Sequence, residues 1–541
     1  MSLGTGESSG KSLGQAVDIY EGASLGSPAA SSERDTTEDR EGGEEAARDA
    51  QVEKIYKKLD RRIIPAFWVL YFLCAAIRSN VGLALTMNSS TGDSLSQRLK
   101  LTPHQVSTGL ALFYVCYVLF DVPANLIMTK LSPHVWMSRI VISVGIVGCC
   151  HAALNAAWNF YLLRLLLGIV IAGMWPGMAY YLTLFYPPSR TGKRIGQYFT
   201  AAQVSASVVG LVSAGFQQMN GKGGLAGYEW MFLIYGLCAV VDGIFILWWL
   251  PGRPTTPGAE TKSSGWQKFF PAPKPALEGE DAKIHYEELT RVYSSKAWTT
   301  RDLTNVLLDW RLWPLTIMYF GVVGVGIGVQ NFGTLIIRAI NPELTSIELS
   351  LLFAPIWVCD LIAILLITPI SDRFNRQRAL FFIIPVCIQI SGLLVTTYAE
   401  DPWARYFGLL MIGFGLGPTV PICMTWANEI FQPRHGEVGV AAASALVSGL
   451  GNLGSVTTTY ALYTGWVSDN VVGPKQFRKS NLVMIGILCL SILSAVAMGF
   501  LMKFIDKGKE PGEDASPVLD GAARRERRGQ RGFSGFGVGK K

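Results

Sequence analysis

Twelve stretches of about twenty mostly apolar residues, separated by polar connections, dominate the chain. They lie near 63–87, 104–128, 136–156, 159–186, 195–219, 230–250, 313–338, 347–370, 379–398, 404–427, 437–465 and 480–505. A helix rises 1.5 Å per residue, so each is long enough to cross a hydrocarbon layer of about 30 Å. Composition agrees. Of 541 residues, 50% are hydrophobic and only 16% are charged, where a soluble chain carries roughly a quarter. The expected fold class is an all-α membrane protein with twelve transmembrane helices in two six-helix bundles, 63–250 and 313–506.

The rest of the chain reads as tails and a linker. Residues 1–62 are rich in Gly, Ser and acids, with no apolar core for a cleavable signal, and are expected to form a disordered cytoplasmic tail. Residues 507–541 form a second tail, whose basic run RRERRGQR is either solvated or touches anionic lipid. The linker 251–312 ends in WTTRDLTNVLLDWRLW, an amphipathic segment expected on the membrane surface. Lys130, Arg190, Lys193, Arg194, Arg373, Arg376, Arg378 and Arg434 fall in loops on one side. The positive-inside rule makes that side cytoplasmic and puts both termini there, with the plasma membrane as the expected location. The sequon Asn88-Ser89-Ser90 then faces outside, open to glycosylation.

Several classes are excluded. All nine cysteines lie in apolar segments with no CxxC spacing, so neither a disulfide framework nor a metal site is expected. The net charge of +7 has no basic, aromatic-interleaved patch behind it, so nucleic acid is not a partner. No phosphate-binding GxxxxGK[ST], no HExxH and no paired catalytic carboxylates occur. The chain is expected to be no enzyme, to need no cofactor, and to work as a monomer driven by an ion gradient.

The halves resemble each other. GMWPGMAYYLTLFYPPSRTG leaves span four, and GPTVPICMTWANEIFQPRHG leaves span ten. Counted from Gly173 and Gly417, both run nineteen residues to a Gly, at Gly192 and Gly436, with Arg190 and Arg434 two before it. A six-span unit used twice points to a transporter. KLDRRIIPAFWVLYFLCAAIRSNVG, DVPANLIMTKLSPHVWMSR, RLLLGIVIAGMWPGMAYYLTLFYPPSRTGKRIGQYF and PISDRFNRQR, in that order, resemble the major facilitator superfamily. More narrowly they resemble fungal anion:cation symporters of the allantoate permease type, and within these the alternative sulfate and sulfonate carriers. The resemblance covers residues 54–506. It implies alternating access and import of a small anion with protons. It also implies glutamates that this chain lacks: Ile171-Ala172-Gly173 and Tyr235-Gly236 stand in place of Glu-containing motifs, and Asp121 stands where Glu is usual.

The residues then divide by chemistry. Arg78 sits deep in span one, where a permanent charge costs at least a few kcal/mol. An incoming anion, held by the planar guanidinium fork, offsets that cost; the alternatives are snorkelling or an internal carboxylate partner. Arg164 near the start of span four is the second candidate anion ligand, with snorkelling as the rival. Asn80, Gln203, Gln330, Asn331, Asn452 and Tyr460 are candidate cavity-lining groups or interhelical hydrogen-bonders. Trp175-Pro176 predicts a kink beside the site. Asp360 and Asp242 are candidate proton carriers in place of the missing glutamates. Asp121 is a candidate gate, pairing with Arg139 or the Arg190–Arg194 cluster, a cap, or a proton site. Asp372, Arg373, Arg376 and Arg378 resemble the superfamily's cytoplasmic signature loop, which locks helix ends in one state; positive-inside topology explains the arginines equally well, though not Asp372. Glu429 belongs to that gate or to the surface. His151 is expected to be a packing residue.

The expected function is therefore secondary import of a small anion, sulfate- or sulfonate-like or a small carboxylate, by proton symport. Transport of allantoate, nicotinate or another vitamin-like carboxylate is the alternative. A non-transporting nutrient receptor on the same fold is a third reading.

Overall fold

The computed structural model describes residues 28–253, 275–292, 300–374, 377–471 and 476–507, with most side chains from residue 47 onward. The chain divides into Met1–Ile55 and Tyr56–Lys541, and the contacts below belong to the second unit. Among the described residues every element is helical: α1 (Pro28–Ala84), the short α2 (Leu95–Arg98), α3 (Pro103–Lys130), α4 (Pro133–Cys150), α5 (Ala157–Ile171), α6 (Met174–Thr183), α7 (Pro188–Gln218), α8 (Gly227–Trp249), α9 (Gly279–Val292) and α10 (Thr300–Leu308). Then come α11 (Leu312–Ile340), α12 (Ser346–Arg373), α13 (Arg378–Tyr398), α14 (Pro402–Leu416), α15 (Thr419–Gly451), α16 (Leu453–Ala461) and α17 (Arg478–Lys507). The starts are encoded locally. Pro opens α3, α4, α7 and α14, where a missing N–H costs nothing. Thr345 and Glu348 close a reciprocal cap on α12.

Among the described residues ten helical stretches are long and apolar enough to cross a bilayer. α3 and the α15–α16 pair complete the twelve-span pattern. Large apolar side chains such as Leu119, Leu237, Leu365, Leu493 and Phe500 stand exposed on the outer surface, the arrangement that hydrocarbon solvent favours. Trp158 and Trp403 are exposed as well, whereas Trp68 turns inward and donates from Nε1 to Thr200 Oγ1 at 3.3 Å.

Two expectations need correcting. Residues 28–62, expected to be disordered, belong to α1. Their Ala, Glu, Lys and Arg are good helix formers, and Tyr56, Leu59 and Ile63, at helical spacing, are buried. The loop expected around Arg434 is assigned to helix within α15. That helix turns back on itself: Ser444 Oγ donates to Asn428 Oδ1 at 2.7 Å, while sixteen residues of straight helix would span about 24 Å. Asn88, of the sequon, donates from Nδ2 to Gln217 O at 3.1 Å. The tails 1–27 and 508–541, with RRERRGQR, lie outside the described residues.

Spans four and ten are broken at matching places. Pro176 cannot donate to the carbonyl one turn back, at Ala172. The chain breaks there, and Gly173 takes φ 77°, a left-handed conformation that suits glycine. Gly417 separates α14 from α15 in the other half, followed by Pro418 and Pro421. The predicted kink is thus a true interruption, and both interruptions face the centre of the molecule.

The linker docks on the bundle. His285 of α9 is buried and donates from Nε2 to Phe185 O at 2.8 Å, beside the Tyr56 ring at 5.9 Å. Arg62 donates to Trp249 O at 2.9 Å and to Pro275 O at 2.6 Å. The other linker helix, α10, packs on α15. Val306 is buried and Leu308 exposed, in keeping with an amphipathic segment.

Candidate functional site

The two bundles meet along α3 with α16 and along α7 with α12. Hydrogen bonds join them at the end that carries Ser89 and Ser107. Ser107 Oγ and Thr464 Oγ1 are 2.6 Å apart, Ser89 Oγ and Ser346 Oγ 2.9 Å, and Gln217 Nε2 donates to Ser350 Oγ at 3.0 Å. Arg338 adds a bond to Ser89 Oγ. The opposite end carries a charge cluster within the second bundle. Arg378 donates to Asp372 Oδ1 at 2.8 Å, to Ser371 Oγ at 2.9 Å and to Glu429 Oε1 at 2.7 Å. Arg373 is exposed, and Arg376 lies outside the described residues. Glu429, left between gate and surface in the sequence, is therefore the second carboxylate of the cluster. The first bundle has a pair the sequence did not reveal. Arg194 holds Asp60 bidentately at 2.6 and 2.7 Å, a geometry that favours arginine over lysine.

Between these ends lies a cavity of about 130 Å³. Its walls are mostly aromatic and aliphatic. Arg78 projects into it from α1, among Tyr71, Tyr114, Tyr117 and Tyr319. Its Nε is buried without a hydrogen-bond partner, and no carboxylate pairs with it among the described residues. Snorkelling and permanent pairing, the two rivals of an anion role, are both absent from this geometry. A guanidinium desolvated beside phenol rings attracts an anion more strongly than it would in water.

Asp360 reaches the same cavity from α12. It is fully buried, and neither carboxylate oxygen has a hydrogen-bond partner. A side chain at Gly417 would place its Cβ 2.7 Å from Asp360 Oδ1, so the break in span ten leaves room for the acid. Gln203 lies beside Asp360. Gln330 and Asn452 also line the cavity. Trp175, at the break in span four, does too.

The other candidates lie elsewhere. Arg164 does not line the cavity. It is buried at 1% exposure and donates to His151 Nε2 at 2.8 and 3.2 Å. His151 Nδ1 lies 2.7 Å from Val147 O, so Nδ1 carries the proton and Nε2 accepts from the guanidinium. The sequence treated the two residues separately because thirteen positions divide them. Asp121 bonds the Gly173 N–H at 2.9 Å, at the break in span four. Its place in mid-α3, eighteen residues past Pro103, explains why it serves a backbone break rather than a helix end. Asp242 lies outside the cavity, with Oδ2 buried and unpartnered. Asn80 and Asn331 are buried within the helix packing, and Tyr460 is half exposed against His104, with ring centroids 5.8 Å apart.

Two bundles, paired breaks and a central cavity are the architecture of a membrane carrier. The sequence profile of the Major Facilitator Superfamily matches residues 67–459, and the chain belongs to that superfamily of transporters. It is 46% identical over 467 residues to Vitamin H transporter 1 of Schizosaccharomyces pombe, covering 84% of this chain and 80% of that one. It is 27% identical over 443 residues to a putative tartrate transporter of Agrobacterium vitis, covering 81% and 91%. A crystal structure of a bacterial homolog of the human lysosomal transporter Spinster superposes with TM-score 0.60 at 16% identity, covering 83% of this chain and 98% of that one.

Proposed function

We propose that the protein imports a small vitamin-like carboxylate, vitamin H (biotin) first, together with protons across the plasma membrane. The observation that carries this reading is Arg78: a half-buried arginine lining the central cavity, its Nε buried without a hydrogen-bond partner. A carboxylate supplies the partner, and its two oxygens match the fork. The aromatic walls suit the apolar remainder of such a substrate. The 46% identical relative named for vitamin H supports the choice among carboxylates.

Moving an anion inward against a negative-inside potential costs about 2.3 kcal/mol per charge for each 100 mV. One proton carried with it cancels that term. Asp360 is the proton carrier in this reading, because it is the unpartnered acid in the cavity. Arg378 with Asp372 and Glu429 acts as a gate at the cytoplasmic end, Arg373 and Arg376 adding positive charge there, and the chain works as a monomer with both termini in the cytoplasm.

The test is uptake of labelled biotin by cells that lack their own carrier, at acid pH, with and without a protonophore. Saturable uptake that the protonophore abolishes is the expected result. Uptake of sulfate, tartrate, allantoate or nicotinate in place of biotin would move the substrate assignment while keeping the carrier; no uptake of any anion would end this reading.

A further inference from the structure

The carboxylate site at Arg78 leaves polar atoms of three other lining residues, the proton carrier Asp360 among them, without hydrogen-bond partners. Trp357 and Asp360 stand three positions apart on α12 and so share a face. Gln203 comes from α7, which packs along α12. All three line the cavity and are at least nine-tenths buried. The Trp357 Nε1–H, the Gln203 Oε1 and both Asp360 oxygens have no hydrogen-bond partner. Buried polar groups are almost always paired, so one donor and three acceptor atoms left open on one wall mark a place where something else completes them.

We infer that this wall is a second subsite, shaped for a neutral head group that offers both an N–H and a C=O: an amide, lactam or cyclic urea. The inference rests on the carboxylate reading of Arg78 and extends it to the far end of the same molecule. The indole N–H only donates, so it meets a carbonyl. Gln203 Oε1 only accepts, so it meets an N–H. Asp360 accepts a second N–H when ionised and donates to the carbonyl when protonated. The proton on Asp360 therefore changes which atom of the head group it meets, which couples head-group binding to protonation. Arg78 stands among tyrosines and Asp360 beside Gln203, so a substrate that meets both carries its carboxylate on a spacer from the head group. Sulfate or a plain alkanoate leaves Gln203 Oε1 unsatisfied, and a site built around hydrogen bonds rejects a ligand that lacks them.

The experiment uses the full chain in cells without their own biotin carrier, measuring inhibition of labelled biotin uptake by two probes. Desthiobiotin keeps the urea and the carboxylate but lacks the ring sulfur; heptanoate keeps only the carboxylate and chain. Desthiobiotin should compete within about threefold of biotin, and heptanoate at least about 100-fold more weakly. Trp357→Phe and Gln203→Leu, with surface levels checked by labelling, should each weaken biotin and desthiobiotin by about tenfold or more while leaving heptanoate unchanged. Heptanoate competing as well as desthiobiotin in the unaltered protein overturns the subsite. So does an equal loss for heptanoate and biotin in both variants. If neither variant reaches the surface, the desthiobiotin-to-heptanoate ratio in the unaltered protein decides alone. A protein at the surface that takes up no biotin sinks the vitamin reading and the subsite with it; biotin uptake indifferent to the head group sinks the subsite only.

Discussion

Asp121 accepts the backbone N–H of Gly173 at 2.9 Å, closing the break in span four with a carboxylate. The second half repeats the arrangement with one change. Asp360 adjoins the break at Gly417, but its carboxylate oxygens are left without a partner and face the cavity. Two acids at related places have thus taken different tasks, one holding backbone and one open to a proton or a ligand.

Substitutions should separate these tasks. Asp121→Asn keeps an acceptor for the Gly173 N–H and should retain expression and uptake. Asp121→Ala leaves that N–H buried and unpaired, at a cost of about 1–3 kcal/mol, and should lower thermal stability in detergent. Asp360→Asn should leave stability near that of the unaltered chain but remove the dependence of uptake on external pH. Loss of folding in Asp360→Asn with normal uptake in Asp121→Ala would reverse the assignment.

Gly417→Ala tests the close approach at the second break. The added Cβ would press on the Asp360 backbone oxygen and stand 2.7 Å from its Oδ1, well inside contact distance, so helix α12 itself must shift. Uptake should fall by about tenfold or more, because sub-ångström placement governs such sites, while surface expression persists. Unchanged uptake kinetics would show that the break tolerates a side chain.

The Arg164–His151 pair is a buried charge held by a neutral imidazole. Removing the acceptor leaves a buried guanidinium unsatisfied, a change that typically costs about 3–5 kcal/mol. His151→Ala should therefore reduce folded yield and melting temperature. Because Arg164 does not line the cavity, KM for substrate in the surviving protein should stay within about twofold. A selective rise in KM without loss of stability would return Arg164 to the binding site.

Docking of the linker helix should depend on pH. Burial holds the His285 imidazole below its ordinary range, against smaller opposing effects from the Phe185 carbonyl and Glu288. The docked helix then keeps His285 neutral, while the undocked helix takes up a proton near the ordinary value of about 6.5. Docking is at full strength above that value and weakens as pH falls through it. Amide exchange over 279–292, corrected for intrinsic rates, should be faster at pH 5.5 than at pH 7.5. His285→Phe should remove the difference; equal protection at both pH values in the unaltered chain would contradict it.

The spans were legible because hydrocarbon length and helix rise leave little choice once a run of twenty apolar residues is seen. Arg78 was legible for the same reason: a permanent charge in such a run demands an explanation. What escaped depends on contacts distant in sequence. The Asp60–Arg194 pair joins residues 134 positions apart, and nothing local marks Asp60. The helix through residues 28–62 was hidden by its charge, which composition reads as disorder, although Tyr56, Leu59 and Ile63 already held a helical stripe. Arg164 looked like Arg78 by type and setting; only the fold shows that one meets His151 and the other lines the central cavity. Trp357 gave no signal at all, since a tryptophan in a membrane span is most simply packing.

Everything functional here turns on the unpaired guanidinium of Arg78. The direct measurement is labelled biotin uptake by Arg78→Lys and Arg78→Gln at matched surface levels. Lysine keeps the charge and loses the fork, and should cost about tenfold or more in kcat/KM; glutamine loses both and should bring uptake to background. Uptake by the Gln variant at the unaltered rate would contradict the account, because the substrate's negative end would then be held elsewhere.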